Sequence, residues 1–157
     1  MYYDILKTRL GPLLVAGDDR GVRQVNFQGG TRPCAIAPGW IRDPNAAAEA
    51  TTQLAAYFAG ELQIFDLPLS PVGTPFQQEV WRKLQAIPYG ITASYRDIAQ
   101  GIGRPTAYRA VGMANGRNPI PVIIPCHRVI GADGALAGYG GGLHLKEGLL
   151  RIEGVLV

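Results

Sequence analysis

The first part of the chain alternates short runs of β-forming residues with turn residues. Three such runs, at residues 2–8, 12–16 and 22–27, are separated by Leu10-Gly11 and by Gly17-Asp18-Asp19. Runs of this length, bounded by glycine and aspartate, are typical of strands in an antiparallel meander. We therefore expect a small sheet to open the fold.

A helical spacing of apolar residues follows a Pro/Gly-rich connection at residues 33–44. Asn45 is in position to cap this helix, and Gly60 is in position to end it. The apolar positions that recur at helical spacing are Ala48, Leu54, Ala55 and Phe58. The pattern predicts one helix that covers the sheet.

The predicted elements change from strands to helices after residues 67–73, a segment with two prolines and one glycine. We place a domain boundary there, with residues 1–71 as one domain and residues 72–157 as a second, mainly helical one. Thr74 then reads as an N-cap with Pro75 at the first helical position. One face of that helix is apolar and carries Phe76, Val80, Trp81 and Leu84.

Two further short helices are predicted around a turn at residues 101–103. The first begins at the N-cap Ser94, with Asp97 three residues later, and the second runs from Pro105 to about Ala114. Such a pair has the helix-turn-helix form, in which the second helix usually carries the nucleic-acid contacts. Many helical domains contain a similar pair for packing alone, so the spacing leaves both interpretations open.

The last third of the chain is expected to contain a buried strand-like stretch, a hairpin and a helix. The stretch at residues 118–130 is apolar but is broken by prolines, and a Gly-rich hairpin is predicted at residues 131–142. A final helix is predicted over residues 143–153. The whole pattern predicts an α+β fold.

Positive charge is concentrated in the second half. Residues 1–71 hold six Lys/Arg and seven Asp/Glu, whereas residues 72–157 hold nine and five. Between Arg82 and Arg128 there are seven basic side chains and a single acid, Asp97. This distribution predicts a footprint for a polyanion, although arginines scattered over a solvated helical surface remain the alternative.

Composition narrows the class of protein. At 157 residues, with 47% hydrophobic and 17% charged side chains, the chain can form one domain or two small ones. Its two cysteines, Cys34 and Cys126, lie in no pattern typical of disulfide frameworks or zinc sites. The N-terminus lacks a signal-peptide pattern, and no apolar run approaches the roughly 20 residues of a membrane span. We expect a cytoplasmic protein with no membrane partner.

Cys126 lies between Pro125 and His127 at the end of an apolar run. A free thiol has a pKa near 8.5, and a nearby imidazole could lower it or accept the thiol proton. Adjacent side chains in extended backbone point to opposite sides, so the pair needs a turn or a bridging water to communicate. A buried structural cysteine beside a histidine is the alternative from these residues alone.

The sequence Ile-Pro-Cys-His-Arg-Val at residues 124–129 resembles the active-site signature of the O6-alkylguanine-DNA alkyltransferases. The resemblance continues over residues 74–153, where further short matches follow the order of that family's C-terminal domain. They are Phe76-Gln-Gln-Glu-Val-Trp81, Ile87-Pro-Tyr-Gly90, Ser94-Tyr95, Arg109-Ala-Val-Gly112, Asn115-Gly, Asn118-Pro and Gly138-Tyr-Gly-Gly-Gly142. The preceding sheet and helix fit the family's smaller first domain, which is ribonuclease-H-like.

The resemblance implies a single, irreversible transfer of an alkyl group from guanine O6 to Cys126. In this interpretation His127 acts as a base through a water, and Glu153 orients the imidazole. Tyr95 is the proton donor to the leaving base, Lys146 supports the tyrosine, and Asn118 is oriented toward the turn of the nucleophile. No cofactor is implied, and no zinc is expected because the first domain has one Cys and no His.

The resemblance also implies double-stranded DNA containing O6-alkylguanine as the partner, with O4-alkylthymine as a second substrate. The damaged nucleotide has to leave the duplex, and Arg109 fits the side chain that fills the gap from the minor groove. The second helix carries the small residues Ala107, Ala110, Gly112 and Ala114, which would let its backbone approach the groove. The other expected DNA contacts are Ser94, Thr106 and Arg128, and the expected pocket residues are Tyr139, Gly140, Pro121 and Trp81, with Ala137 at the rim. We expect a monomer in solution, with cooperative binding along DNA left open.

Four other classes of protein fit the sequence less well. A recognition module of the same family would lack the nucleophile at position 126, and a transcriptional regulator would carry more Gln, Asn and Ser on its second helix. A cofactor-dependent methyltransferase needs a Gly-rich loop after a parallel strand, whereas Gly101-Ile-Gly103 lies between helices. A papain-like hydrolase would place its Cys and His far apart in sequence. Cys34 and His144 match no motif and are interpreted as structural.

Overall fold

A computed structural model describes residues 1–31, 33–134, 136 and 142–156. The fold opens with β1 (Tyr2–Thr8), β2 (Gly11–Asp18) and β3 (Gly21–Phe27), each antiparallel to the next. The predicted meander is confirmed. A short strand that the sequence pattern did not predict, β4 (Ile41–Arg42), pairs in parallel with β1 and gives the order β3-β2-β1-β4.

The helix α1 (Pro44–Phe58) packs on β1 and β2. Its N-cap is Asp43, whose carboxylate accepts a hydrogen bond from the Ala46 amide at 3.1 Å, so the prediction of Asn45 as the cap is wrong. Pro44 occupies the first helical turn, where its missing N–H costs no hydrogen bond. The apolar face was also misassigned, since Ala48 and Ala55 are exposed. The buried positions are Ala47, Ala50, Leu54, Tyr57 and Phe58.

Strand β2 is buried from Leu13 to Gly17 because both of its faces are covered. The segment that was predicted to divide the domains runs along the outer strand: the amide of Val22 donates to the Pro68 carbonyl at 2.9 Å. Further along β3, the amide of Val25 donates to the Pro119 carbonyl at 2.9 Å. The sheet is thus tied directly to the loop that leads to Cys126.

The predicted caps of the next two helices are confirmed. Helix α2 (Pro75–Gln85) begins with a capping box between Thr74 and Gln77. A short strand, β5 (Ala93–Ser94), leads into α3 (Tyr95–Gly101), which begins with a capping box between Ser94 and Asp97. In such a box each residue satisfies a backbone N–H of the other.

Helix α4 (Tyr108–Gly116) packs against both α2 and α3. It begins three residues later than predicted because Arg104 to Ala107 form a separate turn, in which the Ala107 amide donates to the Arg104 carbonyl at 2.9 Å. Residues 102–107 connect α3 to α4.

The stretch predicted to be strand-like is largely turn. The prolines at 119, 121 and 125 offer no N–H to a sheet, and the Ile124 amide donates instead to the Ile120 carbonyl at 2.9 Å. A 3-10 turn at Cys126–Arg128 follows, and then β6 (Val129–Ile130), parallel to β5. The final helix α5 (Leu143–Ile152) ends at its C-cap Glu153. Half of the predicted hairpin, at residues 135 and 137–141, lies outside the described residues.

Candidate active site

Cys126 opens the 3-10 turn at Cys126–Arg128, which we call the nucleophile turn. The amide of Cys126 donates to the Ile124 carbonyl at 2.8 Å, and the amide of Arg128 donates to the Pro125 carbonyl at 3.0 Å. Because the backbone turns here, the side chains of Cys126 and His127 are not forced to opposite sides as they would be in a strand. The sulfur-bearing residue is buried, with 4% of its surface exposed.

Two asparagines hold the nucleophile turn and the segment that leads into it. The Asn118 amide donates to the Ile124 carbonyl at 2.8 Å and its oxygen accepts from the Ile120 amide at 2.9 Å, which agrees with its expected orientation. Asn115 on α4 donates from Nδ2 to the Cys126 carbonyl at 3.4 Å. Between these contacts Val122 adopts φ +74°, which is strained for a β-branched residue. Residues outside the turn therefore stabilise its conformation.

Glu153 is the centre of the buried hydrogen bonds behind this turn. Its Oε2 accepts from His127 Nε2 at 2.6 Å and from the Tyr57 hydroxyl at 2.7 Å. Its Oε1 accepts from the Gly90 amide at 3.1 Å. Burial alone would raise the pKa of Glu153, but the hydrogen bonds from His127, Arg128 and Tyr57 hold that pKa well below its usual range. The carboxylate is ionised.

His127 is fully buried and neutral. Burial lowers the pKa of the imidazole and outweighs the opposite effect of Glu153, while Arg128 and Lys146 lower it further. Since an ionised carboxylate can only accept, Nε2 carries the hydrogen and donates it to Glu153. Nδ1 therefore has a free lone pair, and it has no hydrogen-bond partner among the described residues. The imidazole is set up to accept a proton at Nδ1.

Arg128 points into the protein, and the prediction that it contacts DNA is wrong. Its Nε and Nη2 donate to the two carboxylate oxygens of Glu153 at 2.8 and 3.0 Å. Its Nη1 donates to the Ile87 carbonyl at 2.7 Å, and the guanidinium lies 5.7 Å from the centre of the Tyr89 ring. A guanidinium whose donors are used in this way is a structural partner of the carboxylate.

Tyr95 and Lys146 both interact electrostatically with Cys126. Tyr95, at the start of α3, is partly buried, and burial together with charge on Cys126 raises the pKa of its phenol. Burial lowers the pKa of Lys146, which a charge on Cys126 opposes. The Lys146 ammonium donates to the Val129 carbonyl at 2.6 Å. The expected support of Tyr95 by Lys146 stays a prediction.

Helix α4 presents Arg109, Ala110 and Met113 on its exposed face. Arg109 is not engaged in an ion pair or hydrogen bond with the described part of the chain. Gly112 instead faces inward, because a methyl group at that position would lie 3.7 Å from two carbons of the Tyr95 ring. A methyl group there would make only an ordinary van der Waals contact, so Gly112 lies on the side of α4 that faces Tyr95 rather than on the exposed face.

The remaining expected DNA contacts lie at the starts of helices. Ser94 caps α3, where its Oγ accepts from the Asp97 amide at 3.0 Å. Thr106 is exposed and Ala107 is partly exposed, in the turn that precedes α4.

Of the expected pocket residues, Trp81 is a core residue. It is 1% exposed, its indole N–H donates to the Ala114 carbonyl at 2.9 Å, and a methyl group at Gly73 would lie 2.4 Å from its ring. Its placement in the pocket was wrong, since the ring joins α2 to α4. Pro121 is partly buried in the turn before Cys126. Tyr139, Gly140 and Ala137 lie outside the described residues.

Comparison with known proteins gives the same family for both halves of the chain. The model of the 6-O-methylguanine DNA methyltransferase DNA binding domain matches residues 75–155, and that of the ribonuclease-like domain matches residues 1–71. The methylated-DNA–protein-cysteine methyltransferase of Methanosarcina barkeri is 53% identical over 153 residues, which cover 98% of this chain and 97% of that protein. The chain belongs to the 6-O-methylguanine DNA methyltransferase family.

Solved structures of the 6-O-methylguanine DNA methyltransferase family agree with this assignment. The crystal structure of Mycobacterium tuberculosis OGT in complex with DNA matches with a TM-score of 0.90 and 49% identity, covering 98% of this chain and 92% of that one. An O6-methylguanine DNA methyltransferase from Methanococcus jannaschii matches with a TM-score of 0.69 and 26% identity over 98% and 95% of the two chains. The α+β fold expected from the resemblance is confirmed.

Two other features, a membrane-spanning helix and a metal-binding cluster, are absent from the described residues. Within them, no helix combines the length and the apolar character needed to cross a membrane. Nor do three His, Cys, Asp or Glu side chains in that part of the chain come together as a metal ion would require.

Sequence reasoning missed one partner of the nucleophile turn, Asn115, and two partners of Glu153, Tyr57 and the Gly90 amide. Tyr57 occupies an apolar position of α1, so its periodicity is that of any core residue. Asn115 shows no local signal, because its contact depends on how α4 packs against the turn. The Gly90 contact is made by backbone and could not be read from a side chain.

Proposed function

We propose that this protein repairs DNA by moving the alkyl group of O6-alkylguanine onto the sulfur of Cys126 in one irreversible transfer. One observation carries this proposal. Cys126 lies beside a neutral, buried His127, whose Nε2 is 2.6 Å from Oε2 of Glu153. The DNA-bound relative supports DNA as the partner.

In the proposed reaction a bond forms between Cys126 Sγ and the alkyl carbon, while the bond from that carbon to O6 breaks. The thiol proton passes through a water to His127 Nδ1, the buried lone pair left free by the hydrogen bond of Nε2 to Glu153. The carboxylate then stabilises the imidazolium that forms. Because the thioether is stable, each protein molecule acts once.

The guanine that leaves needs a proton to be a good leaving group, and we assign that proton to Tyr95. Its raised pKa keeps the phenol protonated until the transfer. The positive charge of Lys146 favours the Cys126 thiolate, with which it interacts electrostatically. We also assign to Lys146 the stabilisation of the Tyr95 phenolate that the transfer leaves.

DNA binding is assigned to residues 72–157, with residues 1–71 as the other domain. Arg109 is exposed on α4 and is free to enter the base stack from the minor groove while the damaged nucleotide is extruded. We propose a monomer that acts on double-stranded DNA. O4-alkylthymine, which carries the same type of carbon–oxygen bond on a smaller base, is proposed as a second substrate. The cytoplasmic location stays a prediction.

A single-turnover transfer assay tests the proposal. The protein is mixed with a duplex that carries one O6-methylguanine with a radiolabelled methyl group, and the label on protein is counted. We expect one label per protein molecule and no transfer in a second round. Cys126→Ala should take up none, whereas the matched variant Cys34→Ala should take up the full amount. Label on DNA lost without label on protein would contradict the proposal.

A further inference from the structure

One side chain from the first domain reaches the carboxylate that holds His127. Tyr57, on α1, is completely buried, and its hydroxyl donates to Glu153 Oε2 at 2.7 Å. The same oxygen accepts the Nε2 hydrogen of His127 at 2.6 Å. Arg128 Nη2 also donates to this oxygen at 3.0 Å, so three donors share it, and Tyr57 is the one that comes from the first domain.

Aromatic packing keeps the Tyr57 ring in this position. Its centre lies 5.4 Å from that of Phe58, 5.5 Å from that of Phe65 and 6.2 Å from that of Tyr89, two of these contacts being edge-to-face. Such contacts restrain the ring in addition to its burial. The position of the Tyr57 hydroxyl oxygen is therefore set by packing within the first domain, through Phe58 and Phe65, and by Tyr89 from the second.

The Tyr57 phenol can act only as a donor toward an ionised carboxylate. Burial and the charge of Glu153 raise the pKa of Tyr57 far above its ordinary value, so the hydroxyl keeps its hydrogen throughout the neutral range. A hydrogen bond donated to a carboxylate stabilises its charged form, and the bond from Tyr57 lowers the pKa of Glu153, so the phenol reduces the attraction of Glu153 for a proton on His127.

We propose that Tyr57 is a positioning residue of the alkyl-transfer site: it fixes Glu153 Oε2 and limits the pull of that oxygen on His127, so that the imidazole stays neutral and Nδ1 stays free. This inference rests on the proposed function, and it assigns to the first domain an indirect part in preparing the nucleophile. Tyr57 touches neither the sulfur nor the base and acts only through Glu153.

A substitution at Tyr57 leaves in place the other charged or titratable groups around His127 and Glu153. His127 interacts with Glu153, with Arg128 on the same turn and with Lys146 on α5, besides its neighbour Cys126. Tyr57 interacts with Glu153, Arg128 and Tyr89. Tyr57→Phe removes one oxygen and leaves all these groups and the ring packing.

Tyr89→Phe is the matched control. Tyr89 belongs to the same aromatic cluster, and its hydroxyl donates to the Ile152 carbonyl at 3.1 Å rather than to the carboxylate. Both variants lose one partly or fully buried phenol hydrogen bond near the end of α5. Only Tyr57→Phe changes the number of donors on Glu153.

The experiment follows the titration of the His127 ring by NMR and, in parallel, the single-turnover transfer rate as a function of pH. In Tyr57→Phe we expect the His127 titration and the acid limb of the rate profile to move together to higher pH, by about half a pH unit or more. The sign follows because removing a donor from Oε2 makes the carboxylate a better acceptor for the imidazolium. Tyr89→Phe should move neither.

A uniform loss of rate at every pH, without a change in the His127 titration, would show that Tyr57 is only structural and would overturn the inference. So would an unchanged titration and rate profile. If the unmodified protein transfers no alkyl group, the proposed function fails, but the His127 titration still decides the role of Tyr57.

If Tyr57→Phe does not fold, the unmodified protein provides the test. A slowly exchanging Tyr57 hydroxyl proton with a nuclear Overhauser effect to the His127 ring supports the inference, and its absence contradicts it.

Discussion

Arg128 donates hydrogen bonds to both carboxylate oxygens of Glu153, from Nε at 2.8 Å and from Nη2 at 3.0 Å. The two residues join the nucleophile turn to the end of α5, and both are buried. A bidentate pair of this kind fixes the rotation of the carboxylate as well as its charge. The group that orients His127 is therefore also part of what holds the fold together.

Glu153→Gln should cost both stability and activity. The substitution keeps the size of the side chain but leaves the buried Arg128 without its counter-ion, which typically costs about 3 to 5 kcal/mol. Urea unfolding measures this loss. The control is Glu147→Gln, whose 3.9 Å pair with Arg151 lies at the surface of α5 and should change stability by less than about 0.5 kcal/mol. Equal effects of the two variants would contradict a structural role for the Glu153 pair.

Stability should fall as the solution is acidified, in two steps. The pKa values of His127 and Glu153 are both lower in the folded protein than in the unfolded chain. Each group therefore contributes stability that is complete above its unfolded pKa and is lost as the pH falls. The first loss begins below about 6.5, for the histidine, and the second below about 4.3, for the glutamate.

The first of these losses can be assigned by substitution. In His127→Gln, the free energy of unfolding measured from pH 8 to pH 4 should no longer show the decrease that begins below about pH 6.5. The exposed His144 on α5 provides the control, since His144→Gln should leave the slope in place. A slope that persists in His127→Gln would contradict the assignment.

Arg109→Ala should slow repair in duplex DNA far more than reaction with free O6-benzylguanine. Filling the gap in the stack offsets part of the few kcal/mol that extrusion of a nucleotide costs, so a loss of about tenfold or more is expected on duplex only. Single-turnover rates on the two substrates provide the comparison. Arg20→Ala, an exposed arginine in the turn between β2 and β3, is the control for charge. A similar loss on both substrates would remove the proposed role in extrusion.

Asn118→Ala should loosen the segment that leads into the nucleophile turn. It removes the hydrogen bonds to the Ile124 carbonyl and from the Ile120 amide, a loss of about 1 to 3 kcal/mol in the free energy of unfolding. Because Cys126 follows directly after this segment, the transfer rate should fall by about tenfold as well. Asn45→Ala, at an exposed position of α1, should change neither quantity. An unchanged transfer rate in Asn118→Ala would contradict the proposed role.

Local signals in the sequence predicted the elements that depend on local interactions. The meander, the caps Thr74 and Ser94 and the final helix all follow from residues close together in sequence. Where two residues compete for one role the prediction failed, as with Asp43 and Asn45 at the start of α1. A proline at the first helical position moved the cap by two residues.

The site was predictable only as far as its motif extends. Cys126, His127 and Glu153 were identified through a resemblance, and the structure brings the last two together. The direction of a side chain was not predictable from the sequence. Arg128 was therefore assigned to DNA, although its guanidinium binds Glu153 inside the protein. The contact of Tyr57 with Glu153 joins residues 96 apart, and no local pattern records such a pair.

The mass of the peptide that contains Cys126, measured after incubation with a duplex carrying O6-methylguanine, tests the central claim most directly. Transfer to this sulfur predicts that the peptide gains the mass of one methylene group while the peptide containing Cys34 keeps its original mass. Repaired guanine in the DNA beside an unmodified Cys126 peptide would contradict it.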